Sequence, residues 1–481
     1  MLHAVHNEKQ NPGKIAECTR TKITTIHRKQ LIMKWSSRTK PMPHQKECYH
    51  AVTEFGGVCL IGDEMGLGKT FESLLWVVQN ECYPCIILCK ATLKYNWQKE
   101  IKEHFGQSSI VLEGRKVNPR VLRRSNFIIL NFDILDAWSD TLMEIDPETL
   151  ILDECQGVAN RKTIRYKRTF NLRWCCDYFL ALSGTPVRNR PIEFWTVLNM
   201  LRPKKFPSYV QFGVKYCKPS IERGKLVFRG AENLDKLNRR LRCCMIRRLK
   251  KDVLTSLPEK TREVIPLPYD NKYDYKKAEK NFLQWVAETH GKGAMIRAKK
   301  SESLMRTGYL RRLIIANKIR SVIDWVKTFL EESNEKLVLF CCHTEPIDRL
   351  VKAFPKIHVR VDGGVSNRHR ALAVERFQKS HECKLFIGNI DAAGEGLTLT
   401  AASHLAFVEM DWVPTKHEQA EARIHRISQD FRCFIYYLIA EGTIEERIAK
   451  QLTTKSANIN QMIDAGANDE MEILSLLAKP V

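Results

Sequence analysis

Eight residues, Asp63-Glu64-Met65-Gly66-Leu67-Gly68-Lys69-Thr70, combine two glycines, a lysine and a hydroxyl at the spacing of a loop that cradles phosphate. Glycines allow the backbone to approach an anion closely. Lys69 is placed to bridge the β- and γ-phosphates, and Thr70 to set its hydroxyl on Mg²⁺. The general pattern asks for a glycine at position 63, where this chain has Asp63, with Gly62 one place early. Farther along, Asp153-Glu154-Cys155-Gln156 puts two acids side by side. In a phosphate site Asp153 would hold the Mg²⁺ shell, while Glu154 would orient and deprotonate an attacking water. An acid pair of this kind also caps helices, and a glycine-rich turn also joins ordinary strands to helices.

The elements around these residues favour the chemical reading. Val58–Ile61 is a short apolar run of the buried-strand kind, and Thr70 to Val78 carries apolar residues at helical spacing, so the loop opens a helix with its amides facing an anion. Thr149-Leu150-Ile151-Leu152 is a second buried strand, which delivers Asp153 and Glu154 at its carboxyl end. The distance between the two motifs suits several strand–helix units. A second such unit is expected downstream. Lys336 to Phe340 reads as a strand, Val361 ends another, and Lys384 to Gly388 forms a third, with helical patterns between them, which predicts a second parallel sheet.

Composition frames the partner. The chain has 481 residues, 44% of them apolar, enough for two or three domains with real cores. Its 78 Lys and Arg against 55 Asp and Glu give a net charge of +23, which points to a polyanion, nucleic acid above all. No run reaches the roughly 18 apolar residues of a membrane span, and Met1 to Gln10 lacks an apolar signal core. An intracellular, soluble, DNA-associated protein with no membrane partner is expected. The 16 cysteines include close pairs such as Cys82-x-x-Cys85, but none has His or Cys partners at zinc-ligand spacing, so free and mostly buried thiols are expected.

Several motifs in order make the chain resemble the Swi/Snf-type ATPases of helicase superfamily two, over roughly residues 41 to 455. Asp63 to Thr70 is similar to that family's first motif, Asp63 included, and Asp153 to Gln156 is a variant of its Asp-Glu-x-x box. Pro41-Met42-Pro43-His44-Gln45 resembles the family's adenine-sensing motif, which implies that Gln45 reads the base of ATP. Ile86 to Trp97 and Ile129 to Asp133 resemble segments that touch the DNA backbone, through Thr92 and Asn131. Leu182-Ser183-Gly184-Thr185-Pro186, continued by Arg188-Asn189, matches the motif that couples nucleotide to DNA. The resemblance gives Ser183 and Thr185 the coupling role and makes Arg188 a DNA contact.

In the second unit, Ala392 to Thr400 resembles the fifth motif, with Gly396 near the nucleotide and Thr398 near DNA. Gln419 to Gln429 resembles the sixth, with Gln429 coupling and with Arg423 and Arg426, three apart on one expected helical face, as arginine fingers. The family usually has Gly where Ser428 stands. Ile246 to Thr261 looks like the segment that distinguishes Swi/Snf-type motors from other superfamily-two helicases. The stretches Leu234 to Arg248 and Tyr275 to Arg312 fit helical protrusions. The combination Ala393 to Thr398 leans toward the annealing-helicase subgroup.

The implied architecture is α/β, with two tandem RecA-like P-loop lobes and helical protrusions between them. Its expected divisions are a basic arm at 1–40, which holds nine Lys and Arg against two acids, a first lobe at 41–200, protrusions and linker at 201–312, a second lobe at 313–455 and a brace at 456–481. The residues between motifs carry no bromodomain, chromodomain or RING-like pattern, so a near-minimal motor is expected. The implied activity is ATP- and Mg²⁺-dependent translocation on duplex or junction DNA, which remodels protein–DNA complexes or junctions. A strand-unwinding DNA or RNA helicase shares the core motifs, and a non-catalytic DNA-binding scaffold is the alternative from another class.

Overall fold

The computed structural model describes residues 35–464, apart from 188–189, 223, 255–256, 301 and 394–396. The basic arm to residue 34, the brace beyond Asp464, Arg188, Asn189 and Gly394 to Gly396 therefore lie outside the described residues.

Two parallel sheets form the frame. The first contains β1 (Val58–Ile61), β2 (Cys85–Cys89), β3 (Ser109–Val111), β4 (Phe127–Asn131), β5 (Thr149–Asp153) and β6 (Tyr178–Leu182). After a separate antiparallel hairpin, β7 (Pro219–Glu222) and β8 (Lys225–Phe228), the same sheet is completed by β9 (Met245–Ile246). Its order is β3-β4-β2-β5-β6-β1-β9. The central strands are apolar on both faces because helices cover both. Alternate residues of one strand enter opposite cores: Leu60 packs with Ile86, Leu88, Leu150 and Leu152, while Cys59 and Ile61 pack with Ile87 and Ile151.

The second sheet contains β10 (Lys260–Pro266), β11 (Leu337–Cys341), β12 (His358–Val361), β13 (Leu385–Asn389), β14 (His404–Phe407) and β15 (Cys433–Ile439), in the order β10-β15-β14-β11-β13-β12. It too is buried on two faces, with Phe340, Phe386 and Phe407 on one side and Leu339, Ile387 and Ala406 on the other. The strands expected at 336–340, 361 and 384–388 are β11, β12 and β13. Two of the strands in the segment between the expected lobes join the large sheets. β9 pairs with β1 in the first sheet, and β10 pairs along its whole length with β15 in the second.

The helix Ile444–Ile463 leaves the second lobe and ends on the first. Ile448 and Leu452 pack in the second lobe's core, whereas Ile459 and Met462 pack in the first lobe's. Asn238 fixes the far end by donating to the carbonyls of Met462 and Ile463, each at 2.9 Å. The described part of the expected brace is thus continuous with a helix anchored in both lobes.

The fifteen described cysteines are free thiols and most are buried. Cys82 and Cys85 sit in an apolar core. Among the described residues no helix is long and apolar enough to cross a membrane.

Candidate active site

Strands β5, β6 and β1 are neighbours in the first sheet, all parallel. Their carboxyl ends therefore deliver three loops to one edge: the acids after β5, Ser183-Gly184-Thr185 after β6, and the glycine loop after β1. Such an edge is where open α/β sheets bind ligands. Gly66 and Gly68 take φ of +94° and +90°, and Gly68 directly precedes the helix Lys69–Asn80. At Gly184 a Cβ would come within 2.4 Å of the Met65 side chain and 3.2 Å of Lys69 Nζ, so only glycine lets the loop after β6 close over the lysine.

Lys69 Nζ donates to the backbone oxygens of Asp63 (2.7 Å) and Glu64 (3.2 Å). Its burial lowers the ammonium's pKa, against the pull of Glu154 and Asp63. The loop is curled around its own lysine, whose N–H donors can exchange those carbonyls for phosphate oxygens. Gln45 stands beside the loop: a Cβ on Gly68 would lie 2.8 Å from Gln45 Nε2, and the neighbouring His44 meets the Leu67 carbonyl through Nε2 at 2.9 Å.

Asp153 is gripped at both oxygens. Trp97 Nε1 donates to Oδ2 and the Glu154 amide donates to Oδ1, both at 2.9 Å. Burial, with Glu154 adding repulsion, pushes the Asp153 carboxyl up to about 7. Glu154 is held at φ +49°, a left-handed turn, and accepts a short hydrogen bond from Gln156 Nε2. A divalent cation would relieve the raised Asp153, and Thr70, in the first turn of the adjoining helix, offers the hydroxyl that such a cation takes. The residues fit Mg²⁺.

Asp63 sends its side chain elsewhere. It is fully buried and accepts from the Arg248 amide (3.0 Å) and from Arg248 Nε (2.9 Å), while Arg248 Nη2 also reaches Glu72 at 3.1 Å. Cys48, Asp63 and Glu72 are grouped closely enough to face a cation, and the guanidinium is that cation. The acid that replaces the outer glycine thus clamps the loop to the segment following β9. Arg247 does the same from the other side. Its Nη1 donates to the carbonyls of Gly62 (2.7 Å) and Gly184 (3.0 Å), and its Nε and Nη2 pair with Asp464 at 2.5 and 3.0 Å.

The second lobe meets this edge at Gly66. A Cβ there would lie 3.3 Å from Lys250 Cε and 3.5 Å from Arg426 Cβ. The expected helical face for the two arginines is corrected: the helix Pro414–Glu421 stops before them. Glu421, which accepts from Lys260, Arg262 and the Tyr437 hydroxyl, fixes that end. Burial would raise its carboxyl, but Arg262 and Lys260 outweigh burial and hold it well below the usual range. The following turns bring the arginines together by another route. Nη1 of Arg423 and Nη1 of Arg426 donate to the same Leu397 carbonyl, at 3.3 and 3.4 Å, and Arg426 Nη1 also donates to Thr398 Oγ1 at 2.8 Å. Gln429 links this turn to the preceding segment, donating to the carbonyls of Ala402 (2.9 Å) and Ile424 (3.1 Å).

The remaining residues expected from sequence fall as follows. Ser183 Oγ accepts from the Thr185 amide at 3.1 Å, and the buried Thr185 hydroxyl has no partner among the described residues. Thr92 is exposed. Asn131 is buried and donates to Asp133 at 3.1 Å. Thr398 holds Arg426, and Gly396 and Arg188 are outside the described residues. Sequence reasoning gave no role to Trp97, Arg247, Arg248 or Lys250. The signal available for the arginines was their position: two cations at the end of a buried strand need carboxylates nearby.

Residues 14–333 match the SNF2-related domain family, and residues 317–428 match the helicase conserved C-terminal domain. The DNA annealing helicase and endonuclease ZRANB3 of Homo sapiens is 32% identical over 438 residues, covering 87% of this chain and 40% of that protein. The SWI/SNF-related matrix-associated actin-dependent regulator of chromatin subfamily A-like protein 1 of Xenopus tropicalis is 29% identical over 430 residues, covering 87% of this chain and 44% of that protein. The chain therefore spans about two fifths of the length of these relatives. Among solved structures, the Sulfolobus solfataricus SWI2/SNF2 ATPase core in complex with dsDNA aligns over 91% of this chain and 96% of that one, with 22% identity and a TM-score of 0.44.

Proposed function

We propose that this chain, a helicase-like ATPase core that belongs to the SNF2-related family, couples ATP hydrolysis to movement along double-stranded DNA without obligatory strand separation. The observation that carries this reading is the meeting at Gly66, where Lys250 and Arg426 approach the loop that holds Lys69. One lobe binds a nucleotide but does not complete the charge cage around a departing phosphoryl group. Arginines supplied from a second lobe make hydrolysis depend on closure, and closure is a motion that DNA can bias.

In this reading Gln45 sits at the base of ATP, Lys69 moves from the carbonyls of Asp63 and Glu64 to the phosphates, and Glu154 takes the proton of the attacking water. Arg423 and Arg426 leave Leu397 and Thr398 to neutralise the developing charge. Mg²⁺, held by Asp153 and Thr70, would supply charge neutralisation on the phosphates. Ser183 and Thr185, after β6, lie between the two nucleotide motifs and relay their state toward DNA, with Gln429 doing so in the second lobe. Thr92, Asn131, Thr398 and Arg188 remain the proposed contacts to the backbone. The net charge of +23 supports a polyanionic partner. The printed name of the Homo sapiens relative, a DNA annealing helicase, supports strand annealing as the outcome.

The test is steady-state ATP hydrolysis with no nucleic acid, single-stranded DNA, duplex DNA or duplex RNA, with Glu154→Gln as the blank. Strong stimulation by duplex DNA is expected. Stimulation by single strands or RNA alone would replace the translocase with an unwinding helicase, and no turnover above the blank would replace it with a scaffold.

A further inference from the structure

The hairpin of β7 and β8 joins neither sheet. Its foot is fixed: Phe228 is buried, its ring lies 5.8 Å from that of Tyr209, and a Cβ on Gly213 would meet the Phe228 ring at 2.7 Å. Glu222 and Lys225 close its turn, and the pair behind them is apolar and exposed. Ile221 and Leu226 are directly opposed across the two strands, so they share one face, and they are 77% and 47% exposed. A lone exposed aliphatic is ordinary, but an opposed pair next to the turn of an anchored hairpin is a small exposed apolar blade.

Beside the blade lies a cavity of about 800 Å³, which runs from Gln156 and Gly157, immediately after the catalytic acids, past the hairpin strand β8 to Val413 of the second lobe. Its cations are Arg161, Lys162, Arg190 and Arg229, and Glu193 is the one acid on its described wall. Arg229 is paired with Glu222 at 2.7 Å. The Arg161 guanidinium lies over the Tyr209 ring at 4.4 Å. A cationic groove with a cation-capped aromatic is suited to a single nucleic-acid strand, whose phosphates need charge and whose bases need a π-face. A cavity of this size is in the range of about 300–1,000 Å³ that encloses one small ligand, so it takes a few nucleotides of one strand and not a turn of duplex. Ile and Leu are among the side chains that proteins wedge between base steps.

We propose that the cleft takes one strand of a branched DNA, with phosphates on Arg161, Lys162 and Arg190, while the Ile221–Leu226 pair presses against the base at the branch. This rests on DNA as the partner and adds where the strands diverge. Because the cleft starts next to Glu154, a strand seated there is positioned to report the branch to the hydrolytic site.

The test uses the full chain and a duplex with one single-stranded arm, carrying 2-aminopurine as the last paired base before the branch. Binding should raise the fluorescence as that base unstacks. The Ile221→Ser, Leu226→Ser double variant should lose the rise and bind the branched duplex on the order of tenfold more weakly relative to a blunt duplex. Leu226→Met alone should keep the rise. Because both side chains are exposed, the double variant should unfold at the wild-type temperature. Arg161→Ala with Lys162→Ala should flatten the salt dependence of branched-duplex binding by about 1 to 2 in log–log slope. No rise with the wild-type chain, or a rise that survives in the serine double variant, overturns the proposal. Failure of the translocase reading is separately visible, as ATP hydrolysis that no DNA stimulates.

Discussion

Asp153 in the first lobe is held at both carboxylate oxygens, by the Trp97 indole and the Glu154 amide. In the second lobe, by contrast, Arg423 and Arg426 both rest on the one Leu397 carbonyl. The first arrangement is a site built before its substrate arrives: buried strand ends fix the acids, and the Arg248 clamp on Asp63 and Glu72 fixes the loop. The second is a pair of cations held on backbone carbonyls of their own lobe, Arg423 also donating from Nε to Gln419 at 2.8 Å. A catalyst that must be switched by a distant partner gains from this division, because only one half has to move. Lys250 marks the seam. Burial lowers its ammonium to about 8 against the pull of Glu64, and its Nζ donates to the His425 carbonyl at 2.7 Å, so the linker touches both halves.

The contrast can be broken at the moving half first. Arg426→Ala should lower DNA-stimulated turnover on the order of 10³-fold while ATP binding persists. Glu154→Gln, in the fixed half, should cost about 10²- to 10⁴-fold in turnover and leave nucleotide binding intact, as fluorescent-nucleotide titration would read.

The clamp is a matter of stability. Arg248→Met strands two buried carboxylates, and denaturant unfolding should register a loss of about 3–5 kcal/mol. A change below about 1 kcal/mol would mean that the loop does not depend on the segment after β9.

A smaller effect is expected from pH. The folded protein keeps a proton on Asp153 up to about 7, and burial beside Glu421 puts Glu418 at about 7 as well. Unfolded carboxyls release theirs near pH 4. Between those values the folded state binds more protons at these two groups, so their own contribution to metal-free stability is full at low pH and is lost as pH rises through about 7. The limiting slope is about 1.4 kcal/mol per pH unit for each group. In thermal melts from pH 5 to 8 without Mg²⁺, the stability of Asp153→Asn relative to wild type should rise with pH, because the variant lacks the Asp153 contribution that wild type loses.

The fixed half was largely legible in the sequence. β1 and β5 are short apolar runs whose next residues are chemical, and a buried strand followed at once by an acid pair or a glycine loop leaves little freedom about where those side chains go. The moving half was legible in residue type but not in backbone. Arg423 and Arg426 were expected on a helix, yet the helix ends at Glu421, whose carboxylate is held by Lys260 and Arg262 from a strand far away in sequence. Arg247 and Arg248 escaped notice for the same reason: their partners Asp464, Asp63 and Glu72 are remote in the chain, and local periodicity carries no information about them. β9 and β10 were hidden because a two-residue strand and an edge strand rich in polar residues lack the apolar run that identifies β1 or β5. The hairpin of β7 and β8 lies within 201–312, the expected protrusions and linker, ahead of the stretches at 234–248 and 275–312 read as helical.

The central claim is that the second lobe's arginines leave their resting contacts for the nucleotide when DNA is engaged. It is tested most directly by measuring kcat and the ATP dissociation constant of Arg426→Ala and Thr398→Val with saturating duplex DNA. The account predicts a kcat loss on the order of 10³-fold in Arg426→Ala with unchanged ATP affinity, and turnover in Thr398→Val within a few-fold of wild type. Wild-type turnover in Arg426→Ala would contradict it.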